Sequence, residues 1–373
     1  MVQILIILIF RTMKPEFKTK LDRLTALMEV EGFDAVYIKR EDNFAWLTCG
    51  GVNYVSNGDV GNCGLLVTKS QSLHAITNIS EGNRMKDEEK LVKLGFTLHV
   101  GSWQDNTFDA KTISSIVGEG KVGYDTSSAS AAIKELRYSL TKEEISRYKK
   151  IGTDVSVVLE EVANEINREM TENDVAGLIL KKMKEKGIEC IVCLVATDER
   201  IRNYRHPIPT DKKLGLLVQF GGNFKRSGLV VSSTRFVSFA PVSEEFRKQF
   251  LDNLYIDCVY MKNTIIGKPY SYALQKGKEA YASCGYSNEF SLHHQGGATG
   301  YSGRDIKVTE ATEGSVVLNQ AFAWNPTITG TKCEDTYVVT DEGIITISGP
   351  INYPKIKITV DGEKFIRPYI LLR

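Results

Sequence analysis

Residues 214–239 read LGLLVQFGGNFKRSGLVVSSTRFVSF, and their reading decides the fold. Two apolar runs, interrupted by Gly221-Gly222 and turned by Ser227-Gly228, describe two β-strands in a hairpin. The hairpin is polar at unusual places. Gln219 precedes the glycine pair, and Ser232, Ser233, Thr234 and Arg235 occupy the second strand. Buried strands satisfy such groups internally or aim them into a cleft. The cleft is the reading taken here, because the flanking motifs converge on it.

Working outward, a chain of 373 residues is long enough for two cores. Its 42% hydrophobic and 25% charged content is that of a globular protein. A net charge of +1 offers no electrostatic case for nucleic acid or an anionic membrane as partner. The 7 cysteines are odd in number and scattered, which points to reduced thiols and a cytoplasmic location. Cys190 and Cys193 have redox or metal spacing, but no second pair accompanies them and their neighbours are strand-like, so a structural strand is the expected role. The apolar run over residues 2–10 is too short to span a bilayer and lacks the flanks of a signal peptide. Residues 1–12 read either as a leader or as a misread start ahead of Met13.

From residue 13 to 139 the pattern is mixed α/β. Phe17, Leu21, Leu24 and Met28 recur at helical spacing and Gly32 ends the run. Strands are expected at residues 34–38, 44–48, 64–68, 72–77 and 96–100, with a further strand from Val122. The segment from Phe44 to Asn62, rich in aromatic, glycine and asparagine residues, suits a contact loop. A second domain, residues 140–346, opens on the capping box Thr141-Lys-Glu-Glu144 and a long apolar stripe. Thr171 and Ser243 cap two further helices, and residues 271–281 make another. Strands are expected at 188–195, through the hairpin, and at 316–323 and 336–340. This order predicts two similar halves around one antiparallel sheet, with residues 347–373 as a C-terminal tail.

Five motifs in order then carry a family resemblance: HPIPTDK from His206, FGGNFK from Phe220 with SSTR from Ser232, HHQGGATG from His293, GSVVLNQ from Gly314, and CEDTYVV from Cys333. With them the second domain resembles the pita-bread family of aminopeptidase P, prolidase, methionine aminopeptidase and creatinase. The first resembles the creatinase-type N-terminal domain of the same proteins. The fold class implied is α/β (α+β), a creatinase-like N-terminal domain followed by a pseudo-symmetric pita-bread domain. Relatives often complete their cleft with a neighbouring subunit, so a homodimer is implied as well.

Peptidases of that family hold two divalent cations with two Asp, one His and two Glu, and this sequence departs from the pattern. On the resemblance, the ligand positions fall on Gln219, Ser232, Gly297 and Gln320, and Glu334 alone is kept. Two hard cations about 3.5–4 Å apart need several carboxylates to neutralise them. No metal and no cofactor are therefore expected. The resemblance to creatinase, which works without metal, implies His206 as general acid/base and Glu334 as an anchor for a cationic group. Gln219, Ser232, His293, Arg304, Asn319, Gln320 and Arg235 are the expected substrate-binding set, with His294 and Gln295 as loop residues. The expected function is metal-independent hydrolysis of a C–N bond in a small peptide, amide or guanidino compound. The alternative is an inactive pseudo-peptidase that binds peptide or protein in the retained cleft.

Overall fold

The computed structural model describes residues 14–56 and 58–373, and the leader or misread start expected over residues 1–12 lies outside them. The chain divides into two compact units, one ending at Arg137 and one running Tyr138–Arg373.

In the first unit, helix α1 (Pro15–Glu31) starts on a proline in its first turn and stops at Gly32, whose left-handed φ of 67° closes the last turn. It buries the expected stripe of Phe17, Leu21, Leu24 and Met28. Strands β1 (Ala35–Arg40), β2 (Val60–Thr68), β3 (Leu73–Asn78), β4 (Thr97–Gly101) and β5 (Val122–Tyr124) form one sheet in the order β4-β3-β2-β1-β5. β1–β2 and β2–β3 are antiparallel, whereas β1–β5 and β3–β4 are parallel.

The strand expected at residues 44–48 is instead part of helix α2 (Glu41–Leu47). Phe44, Trp46 and Leu47 are fully buried in it. Their aromatic and apolar character reflects core packing, which a short apolar run does not distinguish from a strand. Phe44 and Trp46 are thus core residues and not part of the expected contact loop.

In the second unit the capping boxes appear as read. Thr141 with Glu144 opens helix α3 (Lys142–Glu165), and Thr171 with Asp174 opens α4 (Glu172–Glu185). Ser243 caps α5 (Glu244–Asn263), and α6 (Tyr270–Ser283) follows. The hairpin of residues 214–239 forms β7 (Leu217–Arg226) and β8 (Leu229–Ser238), every residue of β8 being buried. They join β6 (Glu189–Thr197) in antiparallel register.

The remaining strands are β9 (Gly296–Thr299), β10 (Ile306–Lys307), β11 (Gln320–Trp324), β12 (Thr327–Ile328), β13 (Thr331–Lys332), β14 (Tyr337–Thr340) and β15 (Gly343–Thr346). β11 starts later than the expected residue 316, because Asn319 adopts a left-handed φ of 59° that breaks an extended run. Residues expected as a C-terminal tail fold into the hairpin β16 (Lys355–Val360) and β17 (Glu363–Pro368), and β18 (Leu371–Leu372) pairs parallel with β8.

The single antiparallel sheet expected for this unit is two main sheets, β18-β8-β7-β6 and β10-β9-β11-β14-β15. They meet at one isolated bridge, Ser233 to Asp335. Side chains interrupt the ladder there. Thr234 N still bonds Glu334 O at 3.0 Å, but Ser232 N donates to the Thr336 hydroxyl at 2.8 Å. The seam between the sheets is therefore built from polar side chains, and the candidate site lies along it.

Candidate functional site

Glu334 is the centre of the seam. Its Oε1 accepts from Arg304 Nη2 at 2.7 Å, and its Oε2 accepts from Lys332 Nζ at 3.0 Å and from the Thr234 hydroxyl at 3.2 Å. The sequence places Lys332 two residues before Glu334, and alternate residues of an extended segment share a face. Arg304 also donates from Nη1 to the Ser232 hydroxyl at 3.1 Å, and that hydroxyl donates to Asn223 Oδ1 at 3.0 Å. Burial opposes ionisation of Glu334, but the Lys332 and Arg304 charges outweigh it and bring its pKa down to about 2. The carboxylate is ionised and saturated. It has no free charge with which to anchor a cationic group of a ligand, the role the resemblance gave it.

Asp335 faces a second set of partners. Its Oδ1 accepts from Ser233 Oγ, Arg235 Nη1 and Ser348 Oγ, each at 3.0 Å, and its Oδ2 lies 3.2 Å from Arg367 Nη1. Arg367 also pairs with Asp257 at 2.5 Å. Arg235 donates its remaining bonds to the Thr234 and Ser348 carbonyls. It braces the seam through both Nη atoms and is buried, while its Nε has no hydrogen-bond partner among the described residues.

Three histidines gather beside Glu334. His206 follows the short helix Glu199–Asn203, whereas His293 and His294 precede β9. His206 Nε2 and His293 Nε2 are 3.1 Å apart, and the His293 and His294 rings stack at 4.3 Å between centroids. Burial is the first cause of a lowered pKa in all three. Lys332 adds to it at His206 and His293, bringing His293 to about 3, and Arg304 and Lys307 add to it at His294, which falls to about 4. At neutral pH the cluster consists of neutral imidazoles, able to accept a proton or donate a lone pair.

Of the residues expected from sequence, the seam gathers His206, His293, Ser232, Arg304 and Glu334. Gln219 is buried on β7, opposite Phe236 of β8 and Ala196 of β6. Gln320 is occupied internally: its Nε2 donates to the Tyr270 hydroxyl at 2.9 Å and its Oε1 accepts from Val317 N at 2.9 Å. Asn319 contributes its carbonyl to Leu140 N. Lys332, Asp257 and Arg367 were not singled out, and His294 was expected only as a loop residue. For Lys332 the two-residue spacing to Glu334 was an available signal. The other three depend on which distant segments the fold brings together.

These residues do not fit the dinuclear centre implied by the resemblance. Glu334, the one anionic member of the set, already compensates two internal cations. Gly297 has φ 144°, and a Cβ there would lie 2.2 Å from the Ile306 carbonyl oxygen of the paired strand β10. The backbone thus has no room for a side chain where the family's histidine would stand. No step of chemistry is assigned to such a centre.

No protein-family model and no curated protein matches the chain. Solved structures do. An Xaa-Pro dipeptidase from Bacillus anthracis superimposes with a TM-score of 0.71 at 16% identity, over 96% of this chain and 100% of that one. A recombinant prolidase from Thermococcus sibiricus gives 0.72 at 18% identity, over 91% and 98% of the two chains. The N-terminal domain of a FACT complex subunit from Cicer arietinum gives 0.66 at 11% identity, over 89% and 96%. At these identities the likeness is one of fold, and the fold is shared by peptidases and by a subunit of a protein complex.

Proposed function

We propose that this chain, which has the pita-bread fold of the prolidases and Xaa-Pro dipeptidases, uses the cleft without a dinuclear metal centre and binds a small peptide- or amide-type ligand there. The observation that carries this reading is the compensation of Glu334 by Arg304 and Lys332. The charge that divalent ions would supply in a peptidase is supplied by the chain itself. His206, His293 and the Ser232–Arg304 edge are the groups left to meet a ligand, and with Lys307 they favour an anionic group such as a carboxylate. Gln219, Asn319, Gln320 and Arg235 support the walls of the cleft in this proposal.

Hydrolysis of a C–N bond is the second reading, and one observation favours it. His206 is exposed, carries a lowered pKa and sits 3.1 Å from a second imidazole, which suits a general base. Calorimetry with a panel of Xaa-Pro dipeptides, followed by mass spectrometry of the same samples, separates the two. Binding without new amine products supports the recognition reading. Product formation that disappears in His206→Ala selects hydrolysis, and absence of both binding and products overturns the peptide assignment. A cytoplasmic location and a homodimer belong to this proposal as well. Among the described residues, no helix is long and apolar enough to cross a membrane.

A further inference from the structure

We propose that His206, His293 and His294 form a binding site for one borderline transition-metal ion of the zinc class, separate from the ligand positions of the dinuclear peptidases. One ring nitrogen from each residue lies within 4.8 Å of the others. Zinc–imidazole bonds of about 2.0–2.1 Å place the nitrogens of a tetrahedral complex roughly 3.4 Å apart, so small ring rotations close the set. The His206–His293 separation of 3.1 Å is already at that scale.

A second observation points to a missing ligand. His293 Nδ1 and His294 Nδ1 are both buried with no hydrogen-bond partner among the described residues. Buried polar atoms are rarely left so; with His206 and His293 turning Nε2 toward one ion, His294 Nδ1 is the orphaned nitrogen that the ion would partner. His206 is exposed, which opens a route from solvent and leaves a fourth coordination position for water or an anion.

The surroundings select the ion. Glu334, the carboxylate nearby, is already paired with Arg304 and Lys332. A hard cation such as Mn²⁺ or Mg²⁺, which depends on oxygen anions, finds that carboxylate taken. Zinc or copper is bound strongly by imidazole instead.

The test is titration of metal-stripped, full-length protein with zinc chloride by calorimetry, repeated with manganese chloride. Cobalt is used in parallel, for the visible absorption of a tetrahedral Co²⁺ complex. The expected result is one zinc per chain, no manganese uptake, and affinity weakened at least about 100-fold by His294→Ala or His206→Ala. The double variant His74→Ala/His99→Ala removes the only other histidine pair, 3.0 Å apart in the first unit, and should leave the titration unchanged. Circular dichroism confirms that each variant is folded. The proposal is overturned by no zinc uptake, by two ions per chain, or by binding that survives His294→Ala. The site shares His206 and His293 with the proposed ligand cleft, so peptide binding is titrated separately on the metal-free protein and on His294→Ala, and loss of zinc uptake is thereby distinguished from loss of peptide binding.

Discussion

Replacing Glu334 with glutamine tests whether this carboxylate is a structural counter-ion or a group held ready for a ligand. The substitution keeps shape and volume but removes the charge that faces Arg304 at 2.7 Å and Lys332 at 3.0 Å. An amide oxygen can still accept from one cation, but the amide NH₂ then points at the other. A carboxyl held at about 2 instead of its ordinary 4.5 corresponds to about 3 kcal/mol of native-state stability at neutral pH. That figure agrees with the roughly 3–5 kcal/mol typical when one partner of a buried ion pair is removed.

The sign follows from the depressed pKa. The contribution is complete above about pH 4.5 and is lost as pH falls toward about 2, so the gap between wild type and Glu334→Gln should shrink over that window. Urea unfolding followed through Trp324, with Trp46 and Trp103 replaced by phenylalanine in both proteins, reports on the second unit. A carboxylate that is kept for function at the expense of stability is usually neutral or stabilising when removed. A loss below about 1 kcal/mol, or one that stays constant from pH 7 to pH 3, would refute the counter-ion argument.

Three further outcomes are expected. Gly297→His, which would restore a family metal ligand, should destabilise the chain by about 3 kcal/mol or more, since its Cβ meets the Ile306 carbonyl at 2.2 Å and its φ is 144°; a thermal-melt change of under about 2 °C would contradict this. Burial, with Asp335 and Glu334 nearby, raises Asp257 to about 6 despite Arg367. The stability it gives as a neutral group is complete below about pH 3.8 and falls as pH rises through about 6, so Asp257→Asn should compare with wild type more favourably at pH 7 than at pH 5, by about 1 kcal/mol; equal differences at the two pH values in chemical denaturation would sink that assignment. Light scattering at micromolar concentration should return twice the chain mass of 41.6 kDa, and a monomer would remove the homodimer.

What the sequence disclosed and what it hid follow from the range of the interactions involved. The capping boxes at Thr141 and Thr171 are contained within four residues each, and the structure forms both. The hairpin at residues 217–238 is similarly local, with its turn at Ser227-Gly228. The segment around Trp46 was harder, because a short buried helix and a buried strand share the same apolar composition, and only packing against the rest of its unit decides between them. For the site, the motif order located His206, His293, Arg304 and Glu334, but not the use made of them. Glu334 read as a surviving ligand because Arg304, one of its two cations, is thirty residues away in the chain, and the spacing to Lys332, two residues before it, was not used.

In the proposed reading, that pairing bears on residues 219, 232, 297 and 320, the positions where the resemblance puts the family's metal ligands. Loss of anionic ligands one at a time would leave an uncompensated carboxylate at 334 in a buried seam, which is costly. Arg304 and Lys332 remove that cost, and Arg304 also fills the space beside the Ser232 hydroxyl. Gly297 then allows β9 and β10 to pair closely where a ligating side chain would have separated them. In the proposed reading, the residues at those four positions and the two cations form one alternative solution to the same charge problem. Restoring acidic residues at 219, 232 and 320 while Arg304 and Lys332 remain should add carboxylates that pair with those cations rather than with metal. Manganese or cobalt uptake by such a triple variant, measured by elemental analysis, would show that the internal cations do not occupy the place of the ions.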